Sequence, residues 1–129
     1  MANSEPGSGD FSQFRKTFFE ECTELLSDLE DRLSRLQSDA ADSEGLNAIF
    51  RAVHSIKAGA GAFNFGQLVK FSHTYEALLD ALRSGQVAQD AKTIDALTRA
   101  GDILSALVEA AQADRRLSED FGADIAAEL

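Results

Sequence analysis

Proline is nearly absent from this chain: a single one, Pro6, stands close to the start. Runs of β-branched residues are missing too, and Ala, Leu, Glu, Asp and Arg dominate, so helix is favoured nearly everywhere after residue 10. The lone cysteine, Cys22, excludes an internal disulfide framework. No run of about 18 apolar residues is present, which excludes a membrane-spanning helix. Basic residues are in the minority, 12 against 22 acidic ones, and are scattered. The resulting formal charge of -10 argues against nucleic acid and anionic membranes as partners, since a phosphate-binding surface needs clustered Lys and Arg. Residues 1–9 lack the positive charge and apolar centre of a secretion signal and read as a flexible tail. The remainder, residues 10–129, is long enough for one core, and a cytoplasmic location is expected.

What is present is a succession of amphipathic periods. Phe11, Phe14, Phe18, Cys22, Leu25, Leu26, Leu29, Leu33 and Leu36 recur at steps of three and four, which predicts a first helix over about 11–36 with one buried stripe. Residues 38–45 break the pattern with turn formers, and Asp42 or Ser43 can cap a second helix over about 44–62. The segment 62–67 interrupts the periodicity again, with Asn64 and Gly66 available for positive φ. Leu68, Phe71, Tyr75, Leu78, Leu79 and Leu82 then define a third helix, closed by Gly85. A fourth, over about 89–111, turns Ile94, Leu97, Leu104, Leu107 and Val108 inward, and Leu117, Phe121 and Ile125 suggest a short fifth over 117–127. The fold expected is all-α: an antiparallel up-and-down four-helix bundle with a short additional C-terminal helix.

One stretch of the second helix departs from ordinary packing. On a wheel of about 100° per residue its apolar direction falls near Leu46, Ile49, Phe50, Val53, Ile56 and Ala60, and His54 lies roughly 105° away, at the border of the core. The next residues on that flank are Ala58 and Gly61. Gly59 and Gly61 together cost the helix about 1–2 kcal/mol relative to alanine. Either another protein must come close to the imidazole, or small residues let a neighbouring helix pack tightly. On the third helix Glu76 and His73 share one flank, and a short connection would turn that flank toward His54. A carboxylate accepting the Nδ1 hydrogen fixes the tautomer with a bare Nε2 and raises its basicity, and Lys57, one turn after His54, can supply positive charge to a phosphoryl group. Each residue also has a plainer reading: a half-buried structural histidine, a solvated carboxylate, a snorkelling lysine.

The segments His54-Ser-Ile-Lys-Ala-Gly-Ala-Gly-Ala-Phe-Asn-Phe65 and Phe71-Ser-His-Thr-Tyr-Glu-Ala-Leu-Leu-Asp-Ala-Leu-Arg-Ser-Gly85 resemble the histidine phosphotransfer (HPt) domains found at the N-terminus of chemotaxis kinases of the CheA type. The likeness extends over most of residues 10–129. It implies that His54 is phosphorylated, that Glu76 and Lys57 support it, that His73 joins their hydrogen-bond network, and that Ala58 and Gly61 border the partner-docking surface. The family usually has glycine where Ala58 stands, so a methyl group there narrows that surface. The resemblance further implies that no cofactor is bound by this chain, ATP and Mg²⁺ being held by a CheA-type kinase domain. Response regulators of the CheY or CheB type would receive the phosphoryl group, at receptor-associated clusters in the cytoplasm.

Other readings compete with it. An HPt domain of a general multistep phosphorelay is the near competitor. Nucleotide binding is rejected, because Gly59-Ala-Gly-Ala-Phe-Asn-Phe-Gly66 has the spacing of neither phosphate-loop motif and follows no strand. No serine or cysteine triad is evident, so the chain is expected to carry phosphoryl groups without being an enzyme on its own. His54, His73 and Glu76 include adequate zinc-ligand types, but their order and outward flank do not suit a bundle metal site, and none is expected. A non-catalytic helical adaptor would be indifferent to replacement of His54.

Overall fold

The computed structural model describes residues 6–38, 43–117 and 121. Four helices make up the fold: α1 (Pro6–Ser38), α2 (Ser43–Ala62), α3 (Gly66–Arg83) and α4 (Ala91–Gln112). Among the described residues there is no strand. α1 packs on α2 and α4, and α3 packs on the same two, which gives the antiparallel up-and-down bundle expected from four amphipathic segments with short connections.

α1 begins at Pro6, so it takes in residues 6–9 of the expected tail. Proline is suited to the first turn of a helix, where its missing N–H would have no intrahelical partner. At 33 residues α1 runs about 50 Å, whereas α2, with 20, runs about 30 Å. Its first turns therefore outreach their neighbours. Phe11 and Phe14, expected in the buried stripe, are 52% and 63% exposed, and burial starts at Phe18, Phe19 and Cys22. The expected fifth helix falls largely outside the described residues; Leu117 and Phe121, the described ones, are not helical.

Asn64, Gly85 and Asp114 adopt left-handed φ values of 61°, 81° and 57° immediately beyond α2, α3 and α4. At each, the next residue's N–H reaches back five residues along the closing turn, as in Phe65 to the Ala60 carbonyl at 2.9 Å and Gln86 to that of Ala81 at 2.9 Å. Gly66 does not share the positive φ that the sequence made available to it. α4 opens on Asp90, whose carboxylate accepts the Thr93 N–H at 2.9 Å, a cap that the sequence reading passed over.

The core is drawn from all four helices and includes every apolar position assigned to α3 and α4. Tyr75 is sealed within it and donates its hydroxyl to the Leu97 carbonyl at 2.8 Å, the partner a buried phenol requires. Gly59 sits where a Cβ would come 2.3 Å from the Phe18 ring, so its smallness is a packing requirement of α1. A Cβ on Gly61 would meet nothing within 4 Å.

Candidate functional site

α2 and α3 run antiparallel across the tight turn at 63–65, and the turn's left-handed Asn64 fixes how one helix folds back on the other. His54 and Lys57, one turn apart on α2, thereby face Glu76 on α3. His54 Nδ1 lies 2.7 Å from Glu76 Oε2, and Lys57 Nζ donates to Glu76 Oε1 at 2.9 Å. One carboxylate spans both partners.

The three side chains are buried to different degrees, and the gradient has chemical consequences. Glu76 is 12% exposed, Lys57 24% and His54 59%. Burial pushes the Glu76 carboxyl up, but hydrogen bonds from Lys57 and His54, together with their charges, outweigh it and hold the group below its ordinary value of 4.5. An ionised Glu76 accepts, so His54 must donate from Nδ1. Nε2 is then left with its lone pair, on a ring more than half open to solvent. This is a nucleophilic nitrogen on the outside of a stiff scaffold.

Ala58 and Gly61 are both exposed on α2. His73 is exposed on α3, one turn before Glu76, and among the described residues no hydrogen bond joins it to His54, Lys57 or Glu76. Both carboxylate oxygens already have donors from α2. Cys22 is buried, and burial, with the nearby Glu21 charge, pushes its thiol up to about 12, so it is no nucleophile at neutral pH. Among the described residues no three His, Cys, Asp or Glu side chains converge as metal ligands. A recess of about 220 Å³ is lined by Phe65, Gln67, Leu107 and Arg115, among others, and by none of the triad.

Two further side chains belong to the site, and the sequence reading missed both. The Phe50 ring lies nearly parallel to that of His54, at 8° and 6.2 Å between centroids. The Arg83 guanidinium sits 3.9 Å from the Phe50 centroid. Phe50 is four residues before His54, a spacing that makes the two neighbours on α2, whereas Arg83 reaches Phe50 from α3, a contact that spacing along one helix does not show.

The Hpt domain family profile matches residues 13–114, a span that contains α2, α3 and every residue of this site. The chain belongs to the Hpt domain family. Its Hpt sequence is 43% identical over 123 residues to the chemotaxis protein CheA of Cereibacter sphaeroides, covering 93% of this chain and 18% of that protein. It is 44% identical over 103 residues to CheA of Salmonella typhimurium, covering 80% of this chain and 15% of the relative. The chain thus spans less than a fifth of the length of these curated relatives. Among solved structures, the Hpt fold is similar to the phosphorylated P1 domain of CheA3 in complex with CheY6 from R. sphaeroides, with a TM-score of 0.77 and 23% identity over 90% of this chain and 91% of that one. It is also similar to the histidine phosphotransfer domain of CheA in solution, with a TM-score of 0.74 and 26% identity over the same shares.

Proposed function

We propose that this Hpt domain is the phosphoacceptor of a CheA-type chemotaxis kinase, with His54 as the residue that carries the phosphoryl group. The observation that carries the reading is the 2.7 Å contact between Nδ1 and Glu76 on an imidazole 59% exposed, which leaves Nε2 bare and outward. The kinship to CheA proteins favours this role over a general phosphorelay.

In the reaction, the Nε2 lone pair forms a bond to the γ-phosphorus of ATP as the bond to the bridging oxygen breaks and ADP leaves. Nδ1 keeps its proton, so the phosphorylated ring is cationic, and the Glu76 carboxylate stabilises that charge. Lys57 offers its ammonium to the phosphoryl oxygens or keeps Glu76 in place. In the second transfer an aspartate oxygen of a response regulator of the CheY or CheB type takes the phosphorus, and the electron pair returns to Nε2. ATP and Mg²⁺ are held by the kinase domain, and Ala58 and Gly61 lie where partners approach. His73 stands at the edge of this surface. Positioning dominates phosphoryl transfer, and a close-packed bundle supplies it without a pocket. The reaction takes place in the cytoplasm, at receptor-associated clusters; among the described residues no helix is long and apolar enough to cross a membrane.

The test is incubation with labelled ATP and the kinase portion of the C. sphaeroides CheA, with mapping of the acid-labile label. Wild type takes up label at His54, and His54→Gln folds normally and takes up none. Label that persists in His54→Gln moves the site elsewhere, with His73 the first residue to examine.

A further inference from the structure

An imidazole anchored at one nitrogen is not yet aimed. The torsion that turns a histidine ring about its Cβ–Cγ bond has a broad energy well, and a hydrogen bond at Nδ1 tolerates tens of degrees of ring rotation. Each such rotation swings the Nε2 lone pair. Something else must hold the plane of the ring.

The ring plane is matched by Phe50. It lies one turn N-terminal to His54 on α2, on the side toward which helical side chains lean, and the two rings are within 8° of parallel. Phe50 is itself only half-buried, but Arg83 covers it, with the guanidinium carbon 3.9 Å from the ring centroid. Arg83 in turn is tied at both ends of its fork: Nη1 donates to Asn47 Oδ1 on α2 at 3.2 Å, and Nη2 to Asp80 Oδ1 on α3 at 2.9 Å. The contacts close a circuit across the two helices, from Asn47 and Asp80 through Arg83, Phe50 and His54 to Glu76.

We propose that Phe50 and Arg83 are positioning residues for phosphoryl transfer: the parallel Phe50 ring, held by the cation stacked on it, fixes the plane of the His54 imidazole while Glu76 fixes its tautomer. The proposal rests on His54 being the phosphoacceptor. Arg83 acts through Phe50 and needs no contact with the phosphoryl group. A planar fork and a planar ring are both required, so lysine at 83 or leucine at 50 keeps the charge or the apolar bulk and loses the function.

The test uses the full 129-residue chain with ATP and the kinase portion of the C. sphaeroides CheA, measuring kcat and KM for the Hpt domain as substrate. Phe50→Leu should lower kcat about tenfold and Arg83→Gln about fivefold, with KM within about twofold, because misaimed groups lose rate and not encounter. Phe50→Tyr should restore the wild-type kcat, whereas Arg83→Lys should not. Nuclear magnetic resonance of the His54 ring supplies a readout that needs no kinase. The wild-type Hδ2 and Hε1 protons should be shifted upfield by the Phe50 ring, the shift should collapse in Phe50→Leu and shrink in Arg83→Gln, and the Nδ1–H tautomer should persist in both. Unchanged kcat in both variants, a loss confined to KM, or His54 ring shifts indifferent to Arg83 would overturn the positioning role. Label found away from His54 would instead overturn the phosphoacceptor reading, and the ring shifts would still report whether Phe50 and Arg83 orient the imidazole.

Discussion

At the residue scale, the site turns on a carboxylate that must stay ionised. Because Glu76 titrates lower in the folded chain than its ordinary 4.5, its stabilisation is fully present above that value and is lost as the pH falls through the depressed folded value. Glu76→Gln should therefore be less stable than wild type at about pH 7, and the gap should close as the pH drops below about 4.5, seen in urea unfolding midpoints across that range. A gap independent of pH would mean that the charge is not what matters. Glu76→Ala should also slow labelling of His54 about tenfold or more, since hydrogen-bonded partners of a reacting imidazole are worth that much elsewhere. The two glycines beside the site separate just as sharply. Gly61→Ala meets nothing and should stabilise the bundle by about 0.4–1 kcal/mol. Gly59→Ala drives a methyl into a Phe18 ring packed against Phe19, Phe63 and Phe65, and overpacking of about 1–3 kcal/mol outweighs the helix gain, so its melting temperature should fall. The sequence reading raised close helix packing and partner access as rival explanations of these small residues. Close packing accounts for Gly59, whereas nothing in the bundle crowds Gly61, and only the position of a ring on α1 could tell the two apart.

At the scale of the elements, helical periodicity carried the sequence reading a long way. His54 could be placed at a core border and Glu76 on a facing flank because both follow from spacing along single helices, and the short turn at 63–65 leaves antiparallel packing as the simple option. Phe50 and Arg83 escaped for the same reason: periodicity assigns Phe50 to the apolar stripe, and a cation stacked on it from another helix leaves no trace in the pattern. The ends of helices were less legible, since they depend on what lies across from them. Arg15 shows this. From α1 its Nη2 donates to the Ala111 and Gln112 carbonyls at 3.1 and 3.3 Å and to the Asp114 carboxylate at 3.0 Å, closing the C-terminus of α4 nearly a hundred residues away. The carbonyl end of a helix attracts a cation, and the guanidinium also rests over the Phe19 ring at 5.0 Å. Arg15→Ala should cost about 1–2 kcal/mol by chemical denaturation. Arg35→Ala, which removes an exposed pair with Asp31 within one helix, should cost about 0.5 kcal/mol or less. Equal losses would show that Arg15 is only another surface charge.

At the scale of the whole molecule, the question is whether the bundle responds to phosphorylation or merely holds the histidine still. Every residue of the site is on α2 or α3, and the His54 side chain is more than half exposed, with Nδ1 engaged by Glu76. On the proposed reading, a phosphoryl group added at Nε2 would displace no buried side chain, and its charge would be met by solvent, Lys57 and the incoming partner. The far side of the bundle is tied down independently: Tyr75 donates to Leu97 between α3 and α4, Arg15 links α1 to the end of α4, and Gly101 lets α4 approach Leu29 and Leu33 so closely that a Cβ would stand 3.1–3.2 Å from them. Close-packed interiors transmit change only where they have a second arrangement to adopt, and none of these contacts involves the imidazole. Phosphorylating His54 should accordingly shift backbone amide resonances around residues 50–61 and 73–83 and leave those of residues 22–36 of α1 and 97–108 of α4 in place. Shifts spreading through α1 and α4 would mean that the bundle changes shape with its cargo, and would make conformation, in addition to the phosphoryl group itself, something that a response regulator could read.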